Sequence, residues 1–320
     1  MSGSRPADLS GCLQRAGTAD DLPSLLDLMK VVLPHDPRSL DYCRWQFLEG
    51  PAGPAALRLI ESDGKPVSLY VGTRKPLWID GEVRPCFMIQ DVLTHPDFRG
   101  RGFLNHMARR FLEEMGEVDM PGFTFPNKQS ENSFRRTAWT ELMPIPLRLA
   151  TPRADAVADG TLLLPVDSFG AEAGAIWAAA GLRVGVLRDA AFLNWRYSRP
   201  QAVYHRSLIA GDQGFMVLKV YDRPDRRVVH ICDLVVREGA RHRLPAVLTA
   251  IHAFAAAHAA AQVTCWLPDG HPYGAAFAEA GFARDPDNDR FSFTHGGPSL
   301  LPTLRQPANW HLSQADNDIY

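Results

Sequence analysis

The sequence predicts an α/β (α+β) protein that carries one fold twice in tandem, each copy a mixed, mostly antiparallel sheet flanked by helices. Three observations predict it. Apolar runs are joined by Asp63-Gly64 and Asp80-Gly81, pairs that supply the left-handed residues a tight hairpin turn needs. The apolar run "CFMIQDVL" leads through a glycine-rich turn into "RGFLNHMARRFLEEM", where Phe103, Leu104, Met107, Phe111, Leu112 and Met115 recur at helical spacing. Landmarks of the first half also return in the second: Trp45 is matched by Trp195, Asp91 by Asp233 and Trp139 by Phe282.

Each element has its own justification. "LQRAG" reads as a strand, "TADDLPSLLDLM" as a capped helix, and "SLDYCRWQFLEGP" as a second helix stopped by Gly50 and Pro51. "AALRLIES", "VSLYVGTRKPLWI" and "VRPCFMIQDVLT" form three strands with two hairpins between them. The amphipathic helix, the strand "GFTFPN" and the helix "SENSFRRTAW" follow, so residues 12–139 read β-α-α-β-β-β-α-β-α. Residues 140–187 are rich in Ala, Gly and Pro and offer one strand, "TLLLPV", and one helix, "EAGAIWAAAG". In the second copy, "FLNWRYSRP" stands for the second helix and "SLIAGDQGFMVLKVYDRPDRRVVHICDLVV" for the three strands. "LPAVLTAIHAFAAAHAAA" is its long helix, and "VTCWLPDGHPYGAAFAEAGF" its last strand and helix. The expected division is 1–146 for the first domain, 147–187 for a connector, 188–295 for the second domain and 296–320 for a tail.

Composition narrows the function classes. The chain has 320 residues, 46% of them hydrophobic, with 34 Lys+Arg against 36 Asp+Glu. A net charge of -2 supplies no bulk field for nucleic acid or an anionic membrane surface, so neither is an expected partner. No apolar run reaches the ~18 to 20 residues of a membrane span. The start, "MSGSRPADLSG", has no apolar signal core, and the five cysteines lack C-x-x-C pairing, which suits reduced thiols and a cytoplasmic setting. No His/Cys/Asp spacing suggests a metal, and His252, His258 and His271 read as helix-face or loop residues.

The stretch "THPDFRGRGFL" places Arg99, Gly100, Arg101 and Gly102 at a strand-to-helix junction. A helix N-terminus offers unpaired N–H groups and a positive dipole end, glycines let the backbone approach closely, and arginines add charge, so the junction suits a phosphate. The P-loop pattern is absent, and Asn105 stands where a dinucleotide fingerprint wants its third glycine. "DVLTHPDFRGRGFL" instead resembles the R-x-x-G-x-[GA] pyrophosphate loop of the GNAT acyltransferase superfamily, with Arg99 and Gly102 in the first two fixed places and Leu104 in the third, where the family has Gly or Ala. Asn127, Ser130, Phe134, Ala138 and Trp139 fall at the spacings of a second family signature, with Phe134 in the place of a tyrosine that often protonates the leaving thiolate. The resemblance covers 12–139 well and 188–295 weakly. In the second copy "REGARHRLP" has lost the loop pattern and Gly270 stands where the Asn belongs, so that copy resembles a GNAT fold without its own cofactor site, walling the acceptor cleft.

The resemblance implies acyl transfer from acetyl-coenzyme A, or another acyl-coenzyme A, to the amine of a small molecule, without a metal, in a monomer or homodimer. It implies cofactor contacts from Val92, Leu93 and Thr94, from the loop residues Arg99, Gly100, Arg101, Gly102, Phe103 and Leu104, and from Asn127 and Ser130. An N–H near Val92 would polarise the thioester oxygen. An ammonium must lose a proton before it attacks, and Asp91, interrupting an apolar run, is the candidate catalytic base; a carboxylate that merely holds an arginine or a loop is the other reading, since Asp233 occupies the matching place. The tail keeps Trp310, Asp316 and Asp318, which would cap a cleft or fray. An acyl-coenzyme A sensor or scaffold without turnover is the alternative function; a peptidyl transferase using aminoacyl-tRNA is disfavoured by the intact loop and the lack of a basic signal.

Overall fold

The computed structural model describes residues 6–317. A first run of elements comprises β1 (Leu13–Ala16), α1 (Leu22–Val32), α2 (Leu40–Phe47), β2 (Ala56–Ser62), β3 (Lys65–Ile79), β4 (Glu82–Thr94), α3 (Phe103–Glu117), β5 (Gly122–Thr124), α4 (Glu131–Arg135) and β6 (Thr140–Ala150). A second run comprises β7 (Leu163–Pro165), α5 (Glu172–Ala178), β8 (Val184–Val186), α6 (Ala190–Arg196), β9 (His205–Ile209), β10 (Gly214–Asp222), β11 (Arg227–Val236), α7 (Leu244–Ala257), β12 (Gln262–Trp266), α8 (Gly274–Glu279) and β13 (Ala283–His295), with α9 (Leu301–Leu304) after it. Apart from the short β8, the second run repeats the first, element for element.

Two compact units result. The first holds the chain up to Pro76, Arg84–Met143 and Phe291–Arg305; the second holds Leu77–Val83, Pro144–Arg290 and the chain from Gln306 on. The expected connector is therefore structured: the end of β6, β7, α5 and β8 all belong to the second unit. The residues expected as a tail divide, those up to Arg305 joining the first unit and the rest the second.

In the first unit the sheet order is β1-β2-β3-β4-β5-β13, and in the second it is β7-β9-β10-β11-β12-β6. Pairing is antiparallel in β1/β2, β2/β3 and β5/β13, and likewise in β7/β9, β9/β10, β10/β11 and β12/β6. One neighbouring pair in each is parallel, β4/β5 and β11/β12. The sixth place in each sheet is thus taken by the last strand of the other run.

Sequence patterning explains the elements that were foreseen. Asp63 and Asp80 take φ of 49° and 48° before left-handed glycines, making the two predicted hairpin turns. The apolar face of α3 buries Phe103, Met107, Phe111 and Met115 against Tyr70, Phe87 and Ile89, together with Phe134 and Trp139. In the second unit α7 packs Val247, Leu248 and Ile251 on Met216, Leu218, Val229 and Ile231, with Phe277 and Phe282. Burying each such side chain contributes about 1.5–3 kcal/mol. The matched aromatic pairs Phe134/Trp139 and Phe277/Phe282 have ring centroids 5.9 and 5.0 Å apart.

Candidate active site

β4 and β5 pair only at Phe87↔Gly122, Met88↔Phe123 and Ile89↔Thr124. Beyond that point β4 stays bonded to β3, up to His95 N donating to Val67 O at 2.8 Å, while β5 ends at Thr124. Gln90–Thr94 therefore line a parting of two parallel strands, and this stretch contains Val92, Leu93 and Thr94. At the parting Asp91 takes φ 47°, a left-handed conformation rare outside glycine and found where a strand must bulge.

The loop after β4 ends directly on α3. Pro96–Phe98 make one 3-10 turn, Arg99 is extended, and Gly100 and Gly102 are both left-handed, at φ 78° and 80°. Gly102 is the N-cap of α3, and His106 N, bonded to Gly102 O at 3.1 Å, is the first amide to find a partner inside the helix. The N–H groups of Phe103, Leu104 and Asn105 are therefore unspent within it. Leu104 is accommodated half-buried in the first turn, and α3 starts at Phe103 as the pattern requires. These features fit a pyrophosphate: two glycines whose conformation exposes the backbone, three convergent donors, and the exposed Arg99, whose Nε lies 3.4 Å from Thr94 O.

Three expected contacts have local partners. Arg101 turns to the start of the chain, donating from Nε to Asp8 O at 3.0 Å and from Nη2 to Ser10 O at 2.6 Å, with its guanidinium over the rings of Phe98 and Phe103. Asp8 N returns a bond to Arg101 O at 2.9 Å. Asn127 Oδ1 accepts from Ser130 N at 2.9 Å and from Ser130 Oγ at 3.0 Å, holding the turn before α4. Phe134 is 2% exposed in the core.

Asp91 is buried against a residue that sequence reasoning passed over. Arg38 Nη1 donates to Asp91 Oδ1 at 2.6 Å, and its other arm holds Asp36 Oδ2 at 3.0 Å. The second unit contains the same pair: Arg188 Nε donates to Asp233 Oδ2 at 2.7 Å. Each arginine lies over the aromatic ring four residues on, Tyr42 and Phe192, at 5.2 Å in both units. Each precedes the matched tryptophan, Trp45 or Trp195, by the same spacing, so extending that match upstream would have found the pair. Burial pushes the Asp233 carboxyl up, but the Arg188 charge outweighs it and holds the group below the usual carboxylate range.

The second unit differs at the loop and at the parting. A 3-10 turn, Glu238–Arg243, replaces the glycine loop, and the arginines here are spent on α5 and the bend at its end: Arg237 Nη1 donates to Ala175 O and Arg241 Nη2 to Ala180 O. β11 and β12 pair from Val228↔Gln262 to His230↔Thr264, and beyond that the residues Trp310–Asn317 lie buried in the same unit. Arg188, fully buried, also holds Asp316 Oδ2 at 2.9 Å and Ser313 Oγ at 3.1 Å. Arg196 donates to Ala315 O and Asn317 O, and Gln314 Nε2 to Thr264 Oγ1. A cavity of about 20 Å³ between Leu234, Trp266, Tyr273, His311 and Ser313 has room for one water-sized guest. Asp318 lies outside the described residues. Among the described residues no three His, Cys, Asp or Glu side chains gather as a metal site requires, and no helix is long and apolar enough to cross a membrane.

Residues 14–122 match the family described as the acetyltransferase (GNAT) domain. No curated protein sequence matches the chain. Among solved structures, a GCN5-related N-acetyltransferase from Anabaena variabilis superposes with a TM-score of 0.68 at 14% identity, covering 92% of this chain and 75% of that one. One from Kribbella flavida gives 0.63 at 13% identity, over 94% and 75%. The Saccharomyces cerevisiae N-myristoyltransferase, solved with bound myristoyl-CoA, gives 0.65 at 8% identity, over 92% and 84%. The chain has a GNAT-type acyltransferase fold, mixed α/β with mixed sheets flanked by helices.

Proposed function

We propose that this chain is an acyl-coenzyme A-dependent N-acyltransferase, with acetyl-coenzyme A as first donor, that acts on the amine of a small molecule by direct transfer in a ternary complex. The observation that carries the reading is the left-handed Gly100/Gly102 turn, which leads from the parted end of β4 into the unspent N–H groups of α3. The loop would hold the pyrophosphate, Gln90–Thr94 would bond the pantetheine through backbone groups, and an N–H near Val92 would receive charge developing on the thioester oxygen. On this reading Arg101 supports the loop, Asn127 and Ser130 shape the turn beside it, and the second domain has the same fold but no loop for a donor. A covalent acyl-cysteine step is disfavoured at Cys43, the thiol beside Asp91 and Arg38: burial and the Asp91 charge push it up to about 11, so it stays protonated at neutral pH.

Calorimetry with acetyl-coenzyme A tests the loop, and release of free thiol with a panel of amines tests turnover. Binding that is lost in Gly102→Glu, with thiol release in the wild type, is the expected result. Failure of the wild type to bind would overturn the reading. The buried Phe134, which leaves the leaving thiolate no phenol, favours a second reading in which the chain binds acyl-coenzyme A without turning it over; binding without thiol release would select it.

A further inference from the structure

Lysine is scarce in this chain, five residues against 29 arginines, and one of the five stands where an ammonium is poorly kept. Lys30 pairs with Asp27 at 2.9 Å, Lys65 and Lys128 are exposed, and Lys75 is buried in the first unit. Lys219, the single lysine of the second unit, is half-buried on β10 opposite His230 of β11. Its Nζ lies 5.8 Å from the ring centre of Tyr204 and 5.5 Å from that of Tyr221, and no carboxylate among the described residues pairs with it. The arginines that act on it, Arg199 and Arg196, carry its own sign of charge, and Lys219 and Arg223 together act on His230. Tyr221 beside it is 48% exposed, so this edge of the seat meets water.

That cluster works against the protonated form. Two tyrosine faces attract a cation, yet burial and the like charge of Arg199 outweigh them and bring the amine down to about 8. At pH 7 about one such amine in ten is free, against about one in 2,500 for a lysine at ~10.4. An N-acyl group leaves no charge to be repelled and sets a flat amide beside the two rings.

We infer that Lys219 is a modification site, acylated directly by an acyl-coenzyme A thioester. The neutral Nζ attacks the thioester carbonyl carbon. The C–N bond forms as the C–S bond breaks, the electron pair leaves on sulfur, and the proton that nitrogen sheds goes to the thiolate. The inference takes its donor from the acyltransferase reading above but uses neither the glycine loop nor the parting of β4 and β5, so the two stand or fall separately.

The test follows acetylation peptide by peptide in the full chain, by mass spectrometry with isotope-labelled acetyl-coenzyme A. At neutral pH Lys219 should react at least tenfold faster than Lys65 or Lys128, and the advantage should vanish when the chain is unfolded in guanidinium chloride. Its rate should level off above about pH 8, where that of a solvated lysine still climbs. Arg199→Gln should slow it several-fold, because the amine regains its proton. In Gly102→Glu, where donor binding at the loop is lost, Lys219 should keep its advantage over Lys65 and Lys128. A rate no greater than theirs in the folded chain, an advantage that survives unfolding, or one that disappears in Gly102→Glu overturns the inference. Calorimetry with coenzyme A, measured separately, shows whether the acyltransferase reading stands when this inference falls.

Discussion

Asp91 was legible as an isolated carboxylate in an apolar run, and its partner was not, because Arg38 lies 53 residues away and meets it only through the fold. The pair changes what the carboxylate is expected to do. If Asp91 serves chiefly to hold Arg38, Asp91→Asn and Arg38→Gln should lower kcat/KM to a similar degree, and the double variant should fall little further. A base would instead show in Asp91→Asn alone, as loss of the acid limb of the pH–kcat profile; we expect that limb to persist. Either single change removes one partner of a buried hydrogen-bonded pair and should cost about 1–3 kcal/mol in urea unfolding. At Gly102 the constraint is conformational. A side chain there is forced into φ 80° and its Cβ meets Ala7 Cα at 3.3 Å, so Gly102→Ala should weaken coenzyme A binding about tenfold in calorimetry, near the ~1–2 kcal/mol cost of a left-handed L-residue.

The hairpins, α3 and its loop could be read from sequence because their signals are local: Asp-Gly pairs, a period of 3.6, and glycines where the backbone turns left-handed. β6 and β13 could not. Pro144 and Pro146 interrupt the first and, lacking N–H groups, lie before Leu147–Ala150, the residues that pair with β12. The second begins "ARDPDNDR", polar enough to pass for a loop, and reaches its apolar pairing only at Phe293. The site shows the same division. The loop residues were found by pattern, whereas the attachment of Arg101 to Asp8 and Ser10 depends on where the leading segment runs. That attachment predicts a non-additive pair: Arg101→Ala and removal of residues 1–10 should each raise the coenzyme A dissociation constant about five- to tenfold, and together by scarcely more, since each releases the same support.

The titration of the second unit will be felt by the whole chain. Burial, reinforced by Lys219, lowers His230 to about 3, and burial beside His311 holds His271 well below its ordinary value. Both are neutral when folded at pH 7. An unfolded histidine takes up its proton near pH 6.5 and these folded ones do not, so the unfolded state binds more protons below that point. Stability is therefore complete above pH 6.5 and declines as pH falls, by at most ~1.4 kcal/mol per pH unit for each histidine, with the His230 contribution levelling off near pH 3. Asp233, held low by Arg188 against its burial, adds its loss only below the ordinary carboxylate range, near ~4. Thermal melts between pH 7.5 and 4.5 should show the first decline, and His230→Gln should flatten it. The exchange of last strands has a consequence in time. A chain growing from the ribosome has made the glycine loop, α3 and β5 long before Phe291–His295, the strand that completes the first sheet beside β5, can exist. The first unit must wait with an open edge at β5 until Phe291–His295 have been made, so its maturation is timed by a strand that follows the second unit's own elements.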